Sequence, residues 1–358
     1  MKSTKTKTWV SLLCLVMLET GCLEPCMEGE SGDGDGDGDG DGDPESGDGD
    51  GDADAEGEGD GDDGDDCGDG DGDEDGDGDG DGDVPCVWDA DNLPFPISVY
   101  SAEIFLGQIT FDGNCDLIVG DGEYLGYIYR IHQEDGSVEQ IADVPDLYTP
   151  SMTYRAIDDT IYFGTGDEDI DRLYAIDSGN QLSVVMQPPE FIQGLAVAPE
   201  GFGAFGGQLM MLFSLTPSLV AYDLDTASST QVAAFAPGSS PSALAYGPDG
   251  TLYVAEYNTD RIATVTAEGV IDTFHQGLDR IDGLAVAPDG SRLFVAYRPG
   301  NLGRIDELSI PDAQLSAGIE FEIGWGSAPS GMVVDGENHV LYQTFDGVDV
   351  IIDYYSAP

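Results

Sequence analysis

Beyond Lys7 the chain has no lysine, and eight arginines and three histidines face 72 aspartates and glutamates in 358 residues, for a formal net charge of −61. A surface this acidic repels phosphate backbones and anionic lipid headgroups, which argues against nucleic acid as a partner. Histidine occurs only at His132, His275 and His339, none beside a cysteine at metal-ligand spacing, so a zinc site of the usual kind is not expected. There is no Gly-x-Ser-x-Gly elbow and no phosphate-binding loop. No segment carries the 3.6-residue period of a long amphipathic helix. The apolar stretch Val10–Leu18 is far shorter than the roughly 20 residues that a membrane-spanning helix needs.

What the chain does have is a repeated phrase. Gly194–Gly201 (GLAVAPEG), Ala243–Gly250 (ALAYGPDG) and Gly283–Gly290 (GLAVAPDG) each read as a short apolar strand running into a turn. A second strand follows, such as Leu252–Ala255, then a polar loop and two more strands. The residues just before each first strand are Gly107, Pro150, Gln193, Ser242, Asp282 and Ser330, at intervals of 43, 43, 49, 40 and 48 residues. A period of this length with strand-and-turn content is the signature of propeller blades. Outer hairpins such as Leu173–Asp177 and Gln181–Val185, joined by a Ser-Gly-Asn turn, show the two-residue alternation of exposed sheet. The last copy, from Gly331 through Val340–Gln343 to Val348–Ile352, is one strand short, and Ile97–Phe105 is a strand without a blade. The reading is an all-β, six-bladed β-propeller of four-stranded blades, in which the N-terminal strand pairs with the C-terminal strand and closes the ring.

Ahead of the ring, Lys2, Lys5 and Lys7 precede the apolar stretch, and Gly21-Cys22 follows it, the order of an export signal over 1–21. The Cys after Gly resembles the cleavage and lipidation box of bacterial lipoproteins, which implies Cys22 as the lipid-bearing first residue of the mature chain. Glu19 departs from that box, where an apolar residue is usual. Leu23 lacks the Asp that typically retains such proteins in the inner membrane, so the expected location is the outer membrane of the cell envelope, or the extracellular space if lipid is absent. Residues 22–85 form a linker: from Ser31 to Asp83 it holds 27 acidic residues and no Lys or Arg. Such a segment buries no core and is expected to be a disordered, self-repelling tether. Its Asp-Gly runs lack the spaced bidentate Glu of a calcium loop. The third segment, 86–358, is the propeller, and residues 92–358 still carry 39 acids against eight arginines.

Cys14 leaves with the signal and Cys22 takes the lipid, which leaves Cys26, Cys67, Cys86 and Cys115 with three possible pairings. Cys86 lies just before the closing strand and Cys115 in the first turn of blade one, so a disulfide between these two is expected in an oxidising compartment.

Leu252–Ile262 (LYVAEYNTDRI) with Thr264–Gly269 (TVTAEG) resembles the repeats of the NHL and virginiamycin B lyase propellers, and Arg280–Gly290 (RIDGLAVAPDG) is similar to the matching blade of the gluconolactonase and senescence-marker-protein family. The lactonase-like resemblance implies a divalent metal such as calcium at the central mouth, held by Glu, Asn and Asp from the loops that open the blades. Asp282 matches that family's Asp before Gly-Leu. Gln193 and Ser242 stand where Asn is looked for, and Pro150 and Ser330 offer little. Asp282 alone does not make a metal site; capping a loop is its structural alternative. A lyase requires a His and a Glu at the mouth. Of the histidines only His275, placed in the loop leading into blade five, is expected to approach it, where it joins Glu256, Tyr257, Asp282, Tyr297 and Arg298. Two functional classes follow: a surface propeller that binds a protein, glycan or small molecule as a monomer without chemistry, and an exported hydrolase or lyase of the lactonase-like group.

The anchor makes a direct prediction. Cys22→Ser should move the protein from the membrane fraction to the soluble fraction with its ring still folded, and retention in the membrane fraction places the anchor elsewhere.

Overall fold

A computed structural model describes residues 86–356 apart from 90–92, 94, 102–105, 122–125, 145–147, 167–170, 323–330 and 346–348. The expected signal 1–21, Cys22, the linker 22–85 with Cys26 and Cys67, and Ser330 lie outside the described residues.

The chain forms six antiparallel four-stranded sheets, consecutive in sequence. Their first strands are Leu106–Phe111, Tyr148–Arg155, Gly194–Val197, Pro241–Tyr246, Ile281–Val286 and Met332–Val334. All six line one central channel. The ring is a six-bladed β-propeller.

Burial follows position within the blade. Second strands such as Thr160–Gly166, Leu209–Phe213 and Leu252–Glu256 are buried at every residue. They are covered on both faces by neighbouring blades, so they read as continuous apolar runs without alternation. Fourth strands sit at the rim, where Ser228–Ala234 is exposed over most of its length. Between blades the side chains form six apolar clusters, for example Ala243, Ile262, Leu284 and Val295 between blades four and five.

The turns explain much of the aspartate. In the Pro-Asp-Gly hairpins Asp249 Oδ1 accepts the Thr251 N–H at 3.0 Å and Asp289 Oδ1 accepts the Ser291 N–H at 2.9 Å. Gly250 and Gly290 follow with φ of 81° and 70°, a conformation that side chains resist. Asp112, Asp177, Asp223 and Asp335 cap turns in the same manner. The hydrogen bonds from Ser291 hold the Asp289 carboxyl below its ordinary range, and those from Thr226 do the same for Asp223. Blade three differs: Glu200 replaces Asp, and a longer loop with a short 3-10 turn at Gly203–Phe205 takes the hairpin's place. Its Phe202 is buried edge-on against Tyr246 of blade four, with ring centres 5.2 Å apart.

Closure is as the repeat count implies. Ile97–Ser101 pairs antiparallel with Asp349–Ser356, Ile97 opposite Ile352 and Ser101 opposite Asp349. The seam is filled by Trp88, fully buried among Ile97, Ile109, Leu117, Leu341 and Ile352. Its backbone N–H donates to Asp335 Oδ2 of blade six at 3.0 Å, and its indole N–H donates to the Cys115 carbonyl of blade one at 2.8 Å. Cys86 and Cys115 are disulfide-bonded with Cα atoms 5.2 Å apart.

With 29 residues between its ends, this disulfide stabilises by removing about 3 kcal/mol of unfolded-state freedom. Replacing both cysteines by serine should lower the free energy of urea unfolding by about that amount while leaving the β circular-dichroism signature in place. An unchanged midpoint would show that the seam is held without it.

Candidate functional site

The channel has a volume of about 390 Å³, and none of the described residues that line it is charged. Reading along the first strands, one end carries Gln108, Ser151, Gln193 and Ser242. Deeper in each blade stand Ile109, Met152, Leu195, Leu244, Leu284 and Met332, an apolar collar with one member per blade. The far end carries Phe111, Tyr154 and Tyr246. Burial pushes the Tyr246 phenol far above its ordinary range, and burial with a hydrogen bond to Asp159 pushes Tyr154 up to about 12, so both are neutral donors at physiological pH.

The polar end is shaped by irregular pairing. In blades four and five the ladder skips a residue, passing from Pro241 to Ala243 and from Ile281 to Gly283. The skipped residues are Ser242 and Asp282. A bulge of this kind turns its side chain away from the sheet's alternation. Ser242 Oγ donates to the Ile281 carbonyl at 2.7 Å, which stitches blade four to blade five. Ser151 does the same to Ile192 at 2.8 Å between blades two and three, and Gln343 Nε2 reaches the Gln108 carbonyl at 3.4 Å across the seam.

Asp282 meets Arg298, from the loop after its blade's second strand. Arg298 Nε lies 2.6 Å from Asp282 Oδ2, and Nη2 donates to Asp282 Oδ1 at 3.1 Å. The same Nη2 donates to the Tyr257 hydroxyl of blade four at 3.1 Å, and the guanidinium carbon lies 5.6 Å from the Tyr257 ring centre. Arg280 braces the loop by donating to the Arg298 and Gly300 carbonyls at 3.2 and 2.8 Å. Asp282, Arg298 and Tyr257 therefore form one neutral cluster bridging two blades on the mouth face.

The remaining expected site residues are committed elsewhere or stand apart. Glu256 is buried and bound to the Arg261 guanidinium and the Thr259 hydroxyl, the latter at 2.7 Å. The Tyr297 hydroxyl donates to the buried Asp306 carboxylate at 2.6 Å. His275 does not lie in the loop leading into blade five. It belongs to the rim strand Ile271–Gln276, opposite Ile262, because Phe274 packs edge-on against Tyr253 at 5.0 Å and keeps the strand paired to its end. His132 and His339 bind Asp116 and Asp335 at 3.0 and 2.9 Å, at the end of the ring away from the mouth. Gln193 lines the channel, its backbone N–H donating to the Leu212 carbonyl at 2.8 Å.

For a metal, the donor set is thin. Among the described residues no three His, Cys, Asp or Glu converge. Calcium takes six to eight oxygens, and the Asp282 carboxylate faces a guanidinium instead. The collar and Gln108 were not singled out by sequence reading, although aligning the copies marks both: they are the second and first residues of each phrase.

No protein-family model matches the chain, and no curated protein matches it. Solved structures do. A catalytically inactive virginiamycin B lyase from Staphylococcus aureus, with quinupristin, is 16% identical with a TM-score of 0.52, covering 73% of this chain and 87% of that one. An auxiliary nutrient binding protein from Bacteroides thetaiotaomicron is 15% identical with a TM-score of 0.54 over 70% of each chain. A chain of a nidogen/laminin complex is 15% identical with a TM-score of 0.52, over 66% of this chain and 92% of that one. At such identities the likeness shows the fold alone, and the three neighbours differ from one another in role.

The Asp282–Arg298 pair is mostly buried, at 13% and 20% side-chain exposure. Arg298→Met should cost about 3 kcal/mol in urea unfolding by stranding the carboxylate, and adding Asp282→Asn should recover much of it. Equal and additive losses would show that the two side chains do not act as a pair.

Proposed function

We propose that the protein is an exported propeller, lipid-anchored at Cys22 on the outer membrane and carried on the acidic segment 22–85, that presents the mouth of its channel to an uncharged ligand and performs no chemistry on it. The observation that carries this reading is that, among the described residues, the channel of so acidic a chain is lined without a charged side chain. Two acids described on this face are paired: Asp282 with Arg298, and Glu256 with Arg261. The side-chain amides of Gln108 and Gln193 make no hydrogen bond within the ring among the described residues. They supply donors and acceptors to a neutral guest, while the collar below offers apolar contact. A charged guest would lose its hydration without gaining a partner. A volume near 390 Å³ falls in the range of roughly 300–1,000 Å³ typical of small-ligand sites. The guest is a small molecule or the neutral end of a glycan or protein, and the ring acts as a monomer.

Asp282 on the mouth face supports the second reading, a lactonase-like hydrolase or lyase with calcium at the mouth. In that reading Arg298 must release Asp282 before the carboxylate takes up the ion, and further oxygens must come from ligand and water.

Two measurements separate these readings. Titration calorimetry with neutral oligosaccharides and their uronic-acid and amino-sugar counterparts should give heat only with neutral members, at an affinity insensitive to salt. Gln193→Leu should weaken it about tenfold. Binding confined to charged members overturns the proposal. Melting scans with added calcium or with chelator should coincide, and a calcium-dependent rise in the midpoint favours the enzyme.

A further inference from the structure

The strand that closes the ring is held unlike any other fourth strand. In blades one to five the fourth strand follows its neighbour directly along the chain, whereas Ile97–Ser101 joins blade six only by pairing with Asp349–Ser356, through four residue pairs interrupted by a bulge. It is also the strand nearest the N-terminal segment. A pull along that segment would fall first on a strand that no hairpin joins to its blade.

Ahead of the strand stands a double attachment. Cys86 is bonded to Cys115 in the first hairpin turn of blade one. The Cys86 carbonyl accepts the Gly336 N–H of blade six at 2.6 Å. Both receiving turns are braced. Asp112 Oδ1 accepts the N–H groups of Asn114 and Asp116 at 2.9 and 3.0 Å on either side of Cys115, and its other oxygen binds Arg130 at 3.2 Å. Asp335 Oδ1 accepts the N–H groups of Glu337 and His339 at 2.9 and 2.8 Å beside Gly336.

We propose that Cys86 is a strain-relief anchorage, which delivers tension from the N-terminal segment into blade one through the disulfide and keeps the closing strand out of the load path. Chain order makes this work. The 29-residue separation between Cys86 and Cys115 encloses Ile97–Ser101, so force passing from sulfur to sulfur bypasses it. A covalent bond outlasts the hydrogen bonds that hold an edge strand. The contact with Gly336 places the point of entry on both sides of the seam, so load is shared by the two blades that must stay together. The inference rests on reading residues 22–85 as a tether. Its test imposes the load directly and is independent of lipid or membrane; failure of the tether reading would appear instead in the fractionation of Cys22→Ser.

The mature chain is held in magnetic tweezers between its N-terminus and a peptide handle in the exposed turn at Glu268. The oxidised protein should show no extension before the ring's main rupture. Cys86→Ser with Cys115→Ser should add an early step at lower force, on the order of 50 Å for residues 86–101 at about 3.3 Å each. Adding dithiothreitol to a folded wild-type molecule under sub-rupture tension should produce the same step, which keeps the test decisive if the double variant folds poorly. Trp88→Ala with the disulfide intact should rupture at lower force without the early step. The proposal is overturned if oxidised and reduced molecules lengthen alike before the main rupture, or if Trp88→Ala alone releases the early step.

Discussion

A propeller ring is locked shut when its last blade takes a strand from the opposite terminus, and the rest of this structure depends on that pairing. Ile97–Ser101 against Asp349–Ser356 is the one place where the ring could open. The sequence concentrates its strongest local contacts there: a fully buried tryptophan, a disulfide, and hydrogen bonds from Trp88 to both flanking blades. Elsewhere adjacent blades are joined by continuous chain and need less. At two of the junctions a buried Ser151 or Ser242 hydroxyl on the next blade's carbonyl adds to the apolar cluster between the blades.

The acidity of the chain is compatible with this fold because many aspartates serve the backbone. Asp112, Asp177, Asp223, Asp249, Asp289 and Asp335 each accept a backbone N–H two residues on, and such carboxylates favour their turns without needing a counter-ion. Several of the eight arginines pair with acids that the fold buries, among them Arg261 with Glu256 and Arg304 with Asp306. The described lining of the central channel is left without charge. It offers amides, hydroxyls, phenols and aliphatic groups.

Blade number, strand order, closure and the Cys86–Cys115 pair were legible in the chain because each rests on local chemistry: apolar runs of strand length, Pro-Asp-Gly turns, and a repeat whose last copy lacks a strand. The pairing of the cysteines followed from where the closing strand had to lie. The candidate site was legible only in part. Asp282, Arg298 and Tyr257 do meet, but Glu256 and Tyr297 turn to Arg261 and Asp306, and His275 stays on the rim.

By itself, then, the sequence determined the architecture, since periodicity and turn chemistry act over a few residues and repeat six times. Which polar groups face the channel was decided by tertiary structure alone. Tyr257 and Arg298, and Ser242 and the Ile281 carbonyl, lie some forty residues apart in neighbouring blades, and the bulges at Ser242 and Asp282 leave no mark in the residue pattern. A one-residue shift in pairing exchanges the side chains that face the channel for those that face the next blade.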